Sequence, residues 1–366
     1  MGDAGLVVPS FATDGVPNYA ITWEEQESYD VGLDMQFANG LIDFTGDYFY
    51  NKRTKILIPR TASVPGYYGI DLPDENLGRV NSWGFDGSLA IQKRASSDFS
   101  YYAAGTFTFT RNRVEYLDEA AGVLEFQKKE GHSVDALVTN DRSDLSRLIF
   151  EADGLFQNQG EIDNYPHLSG AQPGDIKYID QLSIDSDGDG IYDEADGVID
   201  DQDRVRTDKV RSPEIVFGLN LGGNYKGFDF VVRLQGQARA WHFVQPEMLR
   251  YDKAWHEGRW QEEGDNLYPK TYCYLGDNQI GSHNNDRRST FWLKSAAFVR
   301  VKTVELGYNL PQSLLSKANI QGLRIFVSGE NLFCFDGMEI SRDVEINDWQ
   351  SYEILRTVTG GVTLNF

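Results

Sequence analysis

Between Pro213 and Trp241 the chain alternates strictly, and that alternation limits what it can fold into. Ile215, Phe217, Leu219 and Leu221 are interleaved with Glu214, Gly218, Asn220 and Gly222. After the turn Asn224-Tyr225-Lys226-Gly227, residues Phe228, Phe230, Val232 and Leu234 alternate with Asp229, Arg233, Gln235, Gln237 and Arg239. A period of two puts each set on its own face of a strand, and two such runs around a Gly-containing turn make a β-hairpin. Each strand is longer than the usual five or six or so residues. One face is apolar and the other carries charges and amides throughout. A membrane barrel strand reads this way, with lipid on one side and a wet lumen on the other. A soluble antiparallel sandwich also has one polar face, so the hairpin alone leaves both open.

The rest of the chain decides between them. Alternating runs predict nine antiparallel strands, near 29–38, 41–51, 77–92, 99–112, 213–224, 227–241, 291–310, 321–334 and 351–366. In the seventh, Val299 and Val301 have one parity and Val304, Leu306, Tyr308 and Leu310 the other, which predicts a β-bulge near Lys302-Thr303. Short connections at Asn39, Lys93, Tyr225 and Pro311 alternate with long excursions at 52–76, 113–212, 242–290 and 335–350. Outer-membrane barrels keep that rhythm, with short periplasmic turns and long outer loops. The expected fold is therefore all-β: part of an up-and-down membrane β-barrel. Phe217, Leu219, Phe230 and Val232 are expected to face lipid, and Arg233 and Gln235 the lumen.

Composition excludes several functions. Asp plus Glu number 56 against 34 Lys plus Arg, a formal charge of -22, which argues against a nucleic-acid partner. No apolar run reaches the roughly 20 residues of a transmembrane helix, which a barrel does not need. Met1–Tyr19 has neither a basic nor an apolar signal region, so the membrane reading expects the natural chain to begin earlier. Two cysteines, Cys273 and Cys334, permit at most one disulfide. The five histidines are isolated, no G-x-S-x-G elbow or P-loop occurs, and no enzyme is expected.

One loop carries metal-binding chemistry. Asp185-Ser186-Asp187-Gly188-Asp189-Gly190-Ile191-Tyr192-Asp193-Glu194-Ala195-Asp196 sets acids at positions 1, 3, 5, 9 and 12, with a glycine at 6 for the sharp turn. The expected ligands for structural Ca²⁺ are Asp185, Asp187, Asp189, Asp193 and Asp196, with the Ile191 carbonyl at position 7. Asp200, Asp201 and Asp203 are candidates to extend the site. A solvated Asp-Gly turn is the plainer reading. Among loop aromatics, Trp241, Trp255, Trp260 and Tyr272 are candidate stacking surfaces for a ligand, against self-packing of the loops.

Motifs spread along the chain add a resemblance. They include Thr22-Trp23-Glu24, Asn76-Leu77-Gly78-Arg79-Val80-Asn81-Ser82-Trp83-Gly84-Phe85, Asp153-Gly154-Leu155-Phe156-Gln157 and Pro173-Gly174-Asp175-Ile176-Lys177-Tyr178. Trp292-Leu293-Lys294, Glu305-Leu306-Gly307-Tyr308-Asn309-Leu310-Pro311, Ser328-Gly329-Glu330-Asn331-Leu332-Phe333 and the terminal Phe366 follow in order. The chain resembles the SusC/RagA family of TonB-dependent outer-membrane transporters. The resemblance implies the C-terminal portion of a large barrel that imports oligosaccharides or peptides with a SusD-like surface lipoprotein. Energy would come from the TonB complex through a plug region that this sequence lacks. It also implies an outer-membrane setting with extracellular long loops and a periplasmic C-terminus. The alternative is a soluble or surface calcium-binding β-sandwich or adhesin that binds glycans.

Overall fold

The computed structural model describes residues 17–60, 72–120, 122–134, 148–244, 253–270, 284–316, 320–338, 342–346 and 351–366. Nine long strands form one sheet: β1 (Glu25–Phe37), β2 (Ile42–Ile58), β3 (Glu75–Arg94), β4 (Phe99–Tyr116), β5 (Ile215–Tyr225), β6 (Phe228–Ala238), β7 (Phe298–Asn309), β8 (Gly322–Asp336) and β9 (Thr357–Asn365). Their spatial order is their sequence order, and every neighbouring pair is antiparallel. All nine expected strands are present, with no Greek-key crossover in this sheet. β2 and β3 run further than the alternation alone marks, because Ile56–Ile58 still ladder with Glu75–Gly78. β9 is shorter than expected and begins only at Thr357.

Register lines the two faces up across the whole sheet. One row passes through Phe37, Ile42, Ile91, Ala103, Leu221, Val232, Val304, Gly329 and Val358. A row of opposite parity passes through Asp34, Thr45, Ser88, Thr106, Gly218, Gln235, Arg300 and Cys334. Phe217, Leu219, Phe230 and Val232 share the apolar face, and Arg233 and Gln235 the other. On the apolar face Gly236 leaves room for a ring: a Cβ there would stand 2.3 Å from the Phe217 Cζ. The bulge lies at Lys302. β6 pairs Arg233 with Thr303 and then Leu234 with Val301, so Lys302 is skipped and the two valine sets rejoin one face.

Among the described residues, none covers the apolar face. Val31, Leu306 and Val362 are 71%, 50% and 59% exposed. Soluble monomers rarely leave a contiguous apolar surface of this extent open.

The buried core sits elsewhere, in the long connections. The described residues of the connections 117–214 and 239–297 fold over one end of the sheet as a loop domain. Its core is formed by Phe150, Leu155, Ile176, Tyr178, Ile199, Val244, Trp255, Trp260, Tyr268 and Trp292. Strands of two to four residues, such as Ile149–Phe150 with Arg204–Val205 and Ala152–Leu155 with Ile176–Tyr178, tie it together. The connections at the other end are short: 38–41, 95–98, 226–227 and 310–321. The last of these contains one helical turn, Gln312–Leu315.

Candidate functional site

The Asp-rich run projects from the loop domain on a small ladder of Leu182–Ile184 with Glu194–Ala195. Gly188 and Gly190 have φ of +79° and +89°, where a side chain would be strained, and they turn the chain back on itself. Asp185 thereby accepts from the Gly188 and Gly190 amides at 2.7 and 2.9 Å. Asp189 accepts from the Ile191 amide at 2.8 Å. One carboxylate oxygen from each of Asp185, Asp187 and Asp189 lies within 4.8 Å of the others. Three hard oxygens this close repel one another and suit a hard cation.

The other expected ligands are not gathered with them. Asp193 is held by Ser186, whose Oγ donates to it at 2.9 Å and whose amide donates at 3.2 Å. That hydroxyl bond keeps the exposed Asp193 carboxyl below the usual carboxylate range. Asp196 accepts from the Val198 amide at 2.9 Å, and Ile191 is exposed. The observed grouping is thus three carboxylates of the expected five.

Nor do the following acids extend the group. Asp200 and Asp203 form a capping box around the turn Asp201–Asp203, and Asp201 pairs with Arg204 at 2.7 Å. Asp203 is almost fully buried and accepts from Gln181 and Asp200 amides at 2.8 and 2.7 Å. Burial pushes its carboxyl upward. Asp180 is raised too, by burial first and then by the charge of Asp203.

Two of the candidate stacking aromatics are core residues. Trp255 and Trp260 are 3% and 8% exposed, packed inside the loop domain. Their indoles gain more from core contacts than from remaining on a wet surface, so in this structure they do not offer a platform to solvent. Trp241 is half-buried, with Lys209 Nζ 4.6 Å from its ring centre. Tyr272 and Cys273 lie outside the described residues; Cys334 is a free thiol. One residue that alternation does not mark is central to the loop core. Asn285 is fully buried, accepts from the Ile176 amide at 2.8 Å and donates to Asp175 at 2.8 Å. Its carbonyl accepts from the Trp292 indole at 2.9 Å.

Sequence reading also misses the ion pairs at the loop end of the sheet and on its polar face. Arg111 and Arg239 share Glu214, at 2.6 and 2.7 Å. Arg324 bridges Asp229 and Glu305, at 2.5 and 2.6 Å. Arg300 takes Asp343 and Glu345, each at 2.5 Å, and Lys302 adds to Glu345 at 3.3 Å. A segment of the last long connection is thereby drawn onto the sheet. Val344 within it is fully buried beside Ala240, Ala296, Phe298 and Met338. His242 Nε2 donates to the Val344 carbonyl at 3.0 Å. The remaining described histidines, His132, His167 and His256, are dispersed.

Comparison with known proteins gives a consistent picture. The family model described as "TonB dependent receptor-like, beta-barrel" matches residues 4–332. TonB-dependent receptor P3 of Formosa agariphila is 25% identical over 389 residues, covering 99% of this chain and 36% of the relative. TonB-dependent receptor SusC of Bacteroides thetaiotaomicron is 21% identical, covering 95% of this chain and 32% of its own. Among solved structures, the RagAB peptide importer in its closed-closed state superposes with a TM-score of 0.63 at 20% identity, over 98% of this chain and 37% of that one. This chain therefore spans about a third of the length of the relatives it matches.

Proposed function

From the premise that this chain belongs to the TonB-dependent receptor-like β-barrel family, we propose that it supplies about nine strands of the wall of an outer-membrane nutrient importer. The observation that carries this is the nine-strand sheet in sequence order, apolar on one face and polar on the other, with its long loops at one end. In this reading lipid covers the row through Leu221 and Val232, and the row through Gln235 and Arg300 lines the lumen. The loop domain stands outside the cell and the short turns and C-terminus face the periplasm. A SusD-like lipoprotein docks on the loop domain, and TonB acts through a plug region. The cargo is an oligosaccharide or peptide.

Calcium has a structural part in this proposal. Asp185, Asp187 and Asp189 would hold it, because hard carboxylate oxygens are what calcium requires and the two glycines let them converge. Outside a cell the ion is abundant, so the weak affinity of an extracellular module, roughly 10⁻⁴–10⁻³ M, suffices.

The test is nutrient depletion by cells lacking the gene. Loss of uptake of one oligosaccharide or peptide pool, restored by the intact gene and dependent on TonB, is the expected result. Unchanged depletion of both pools, or recovery of the protein in the soluble fraction, overturns the proposal.

A further inference from the structure

The short-turn end of the sheet carries a second site. A cleft of about 540 Å³ opens between the turn Ala95–Asp98 and the turn Lys226-Gly227. Lys93, Arg94 and Lys226 line it, with Phe99 and Tyr101. In a chain of net charge -22 this grouping is unusual. Among the described residues none of these three cations has a carboxylate ion-pair partner. The one carboxylate lining the cleft, Asp98, accepts from Ser97 Oγ at 3.2 Å.

The aromatic wall continues onto the apolar face. Lys93 pairs in register with Tyr101 and has the parity of Leu89 and Ile91. Phe99 stacks on Tyr101 with ring centres 5.7 Å apart, and meets Tyr225 edge-on at 6.1 Å. Lys226 Nζ lies 5.4 Å from the Tyr225 ring centre, and Phe228 packs on Tyr308 at 4.5 Å. Tyr225 and Phe228 are half exposed. Amphipathic rings at the end of an apolar belt mark the depth of lipid headgroups. Cations fixed at that depth, reachable from both faces around the end of the sheet, attract an anion that is tethered to acyl chains. A free anion gains nothing from the neighbouring Leu and Val surface.

We infer that this cleft is a seat for the phosphate headgroup of an anionic glycerophospholipid in the leaflet at the short-turn end. Lys93, Arg94 and Lys226 contact the phosphate, Tyr101 and Tyr225 flank the glycerol region, and the acyl chains run along Leu89 and Phe230. The inference rests on the membrane reading above, so its test separates the two.

The protein in mild detergent is mixed with phosphatidylglycerol or phosphatidylcholine and retained lipid is counted by native mass spectrometry, with inorganic phosphate as a competitor. The expected result is preferential retention of phosphatidylglycerol that millimolar phosphate does not displace. The exposed double variant Lys93→Ala, Lys226→Ala should lose about 30-fold in affinity while still inserting into vesicles, since each cation near an anionic surface contributes about fivefold. Equal retention of both lipids, full displacement by phosphate, or an unchanged double variant overturns the seat alone. Failure to float with vesicles of any composition overturns the membrane reading with it.

Discussion

Arg300 on β7 grips Asp343 at 2.5 Å across 43 residues of sequence, and the arginine is 2% exposed. With Glu345 on the same guanidinium and Val344 buried between the two acids, the pair fixes a segment of the last long connection against the polar face, beside Met338 of the same connection. A strap this short cannot bury its own carboxylates without a buried cation, so the arginine and the strap depend on each other.

Replacing Arg300 with Met should therefore free the strap. Removing one partner of a buried ion pair costs about 3–5 kcal/mol, most of it from the carboxylates left behind. Faster tryptic cleavage after Arg342 is the expected outcome, with partial protection in Arg300→Lys. Equal cleavage of the variant and the parent protein would show that the strap is held by packing of Val344 alone.

The same strap should loosen in acid. His242 is held below the ordinary histidine range by burial first, then by the charge of Arg211, and its bond to the Val344 carbonyl offsets this only in part. A lowered folded-state value means that the unfolded chain binds the proton first. The stabilisation is full above the ordinary value of about 6.5 and falls as pH drops below it toward the folded-state value. Protease protection of the strap compared at pH 7.5 and 5.5, roughly one unit either side of that value, should decline in the parent protein and stay flatter in His242→Gln. Parallel pH profiles would show that His242 does not carry the effect.

The wall of this protein is legible in its sequence and the loop domain is not, for a physical reason. Each wall strand must present one face to an apolar phase and one to a polar phase, and that demand writes a period of two, even through the parity break at Lys302. The loop domain is built from strands of two to four residues whose partners lie far away, such as Phe150 with Arg204. No periodicity can develop over that length. Trp255 and Trp260 therefore read as loop aromatics open to a ligand, although tertiary packing takes them into the core. The Asp run was legible as an acidic turn. The capture of Asp193 by Ser186, which stands at a position that supplies no ligand, was not.

Core packing by the loop aromatics has a measurable consequence. Trp260→Ala should cost about 3–5 kcal/mol, as large-to-small core changes do, and expose the loop domain to proteolysis. Asn285→Ala leaves the Ile176 amide and Asp175 without the buried amide group, at about 1–3 kcal/mol for each orphaned group. Hydrogen exchange should report both losses in residues 149–178. A Trp260 variant with unchanged exchange but weaker cargo binding would restore the tryptophan to the ligand surface.

The Asp run separates ligand loss from loop support. Asp187→Ala and Asp189→Ala each remove one of three converging carboxylates and should weaken calcium by about tenfold or more, since affinity follows ligand charge count. Ser186→Ala removes no converging ligand but releases Asp193, whose carboxyl should return toward the ordinary range. Calcium affinity should then change less than in either aspartate variant. Calorimetric titration of the intact protein at millimolar calcium distinguishes these. No heat in the parent protein would leave the run as a solvated turn.

The bulge allows the sharpest test of the two-faced wall. β7 carries one residue more than β6 requires, because Lys302 has no partner between Val301 and Thr303. Deleting Lys302 should restore an unbroken ladder with β6 and leave Val299, Val301, Val304 and Leu306 on one face, at the loss of the Glu345 contact and with Asn331 and Leu332 of β8, which stand opposite Lys302, left as a bulge on that side. Deleting Arg233 from β6, which has no bulge on its own strand, moves every following side chain to the opposite face. Phe230 and Val232 would then disagree in parity with Leu234, and a charged or amide side chain would be forced into the apolar belt at roughly 2–4 kcal/mol for a central cation. Heat-modifiable migration of membrane-inserted protein should survive the Lys302 deletion and disappear with the Arg233 deletion. If both deletions assemble equally well, the faces are not held by lipid on one side and water on the other, and the wall reading fails.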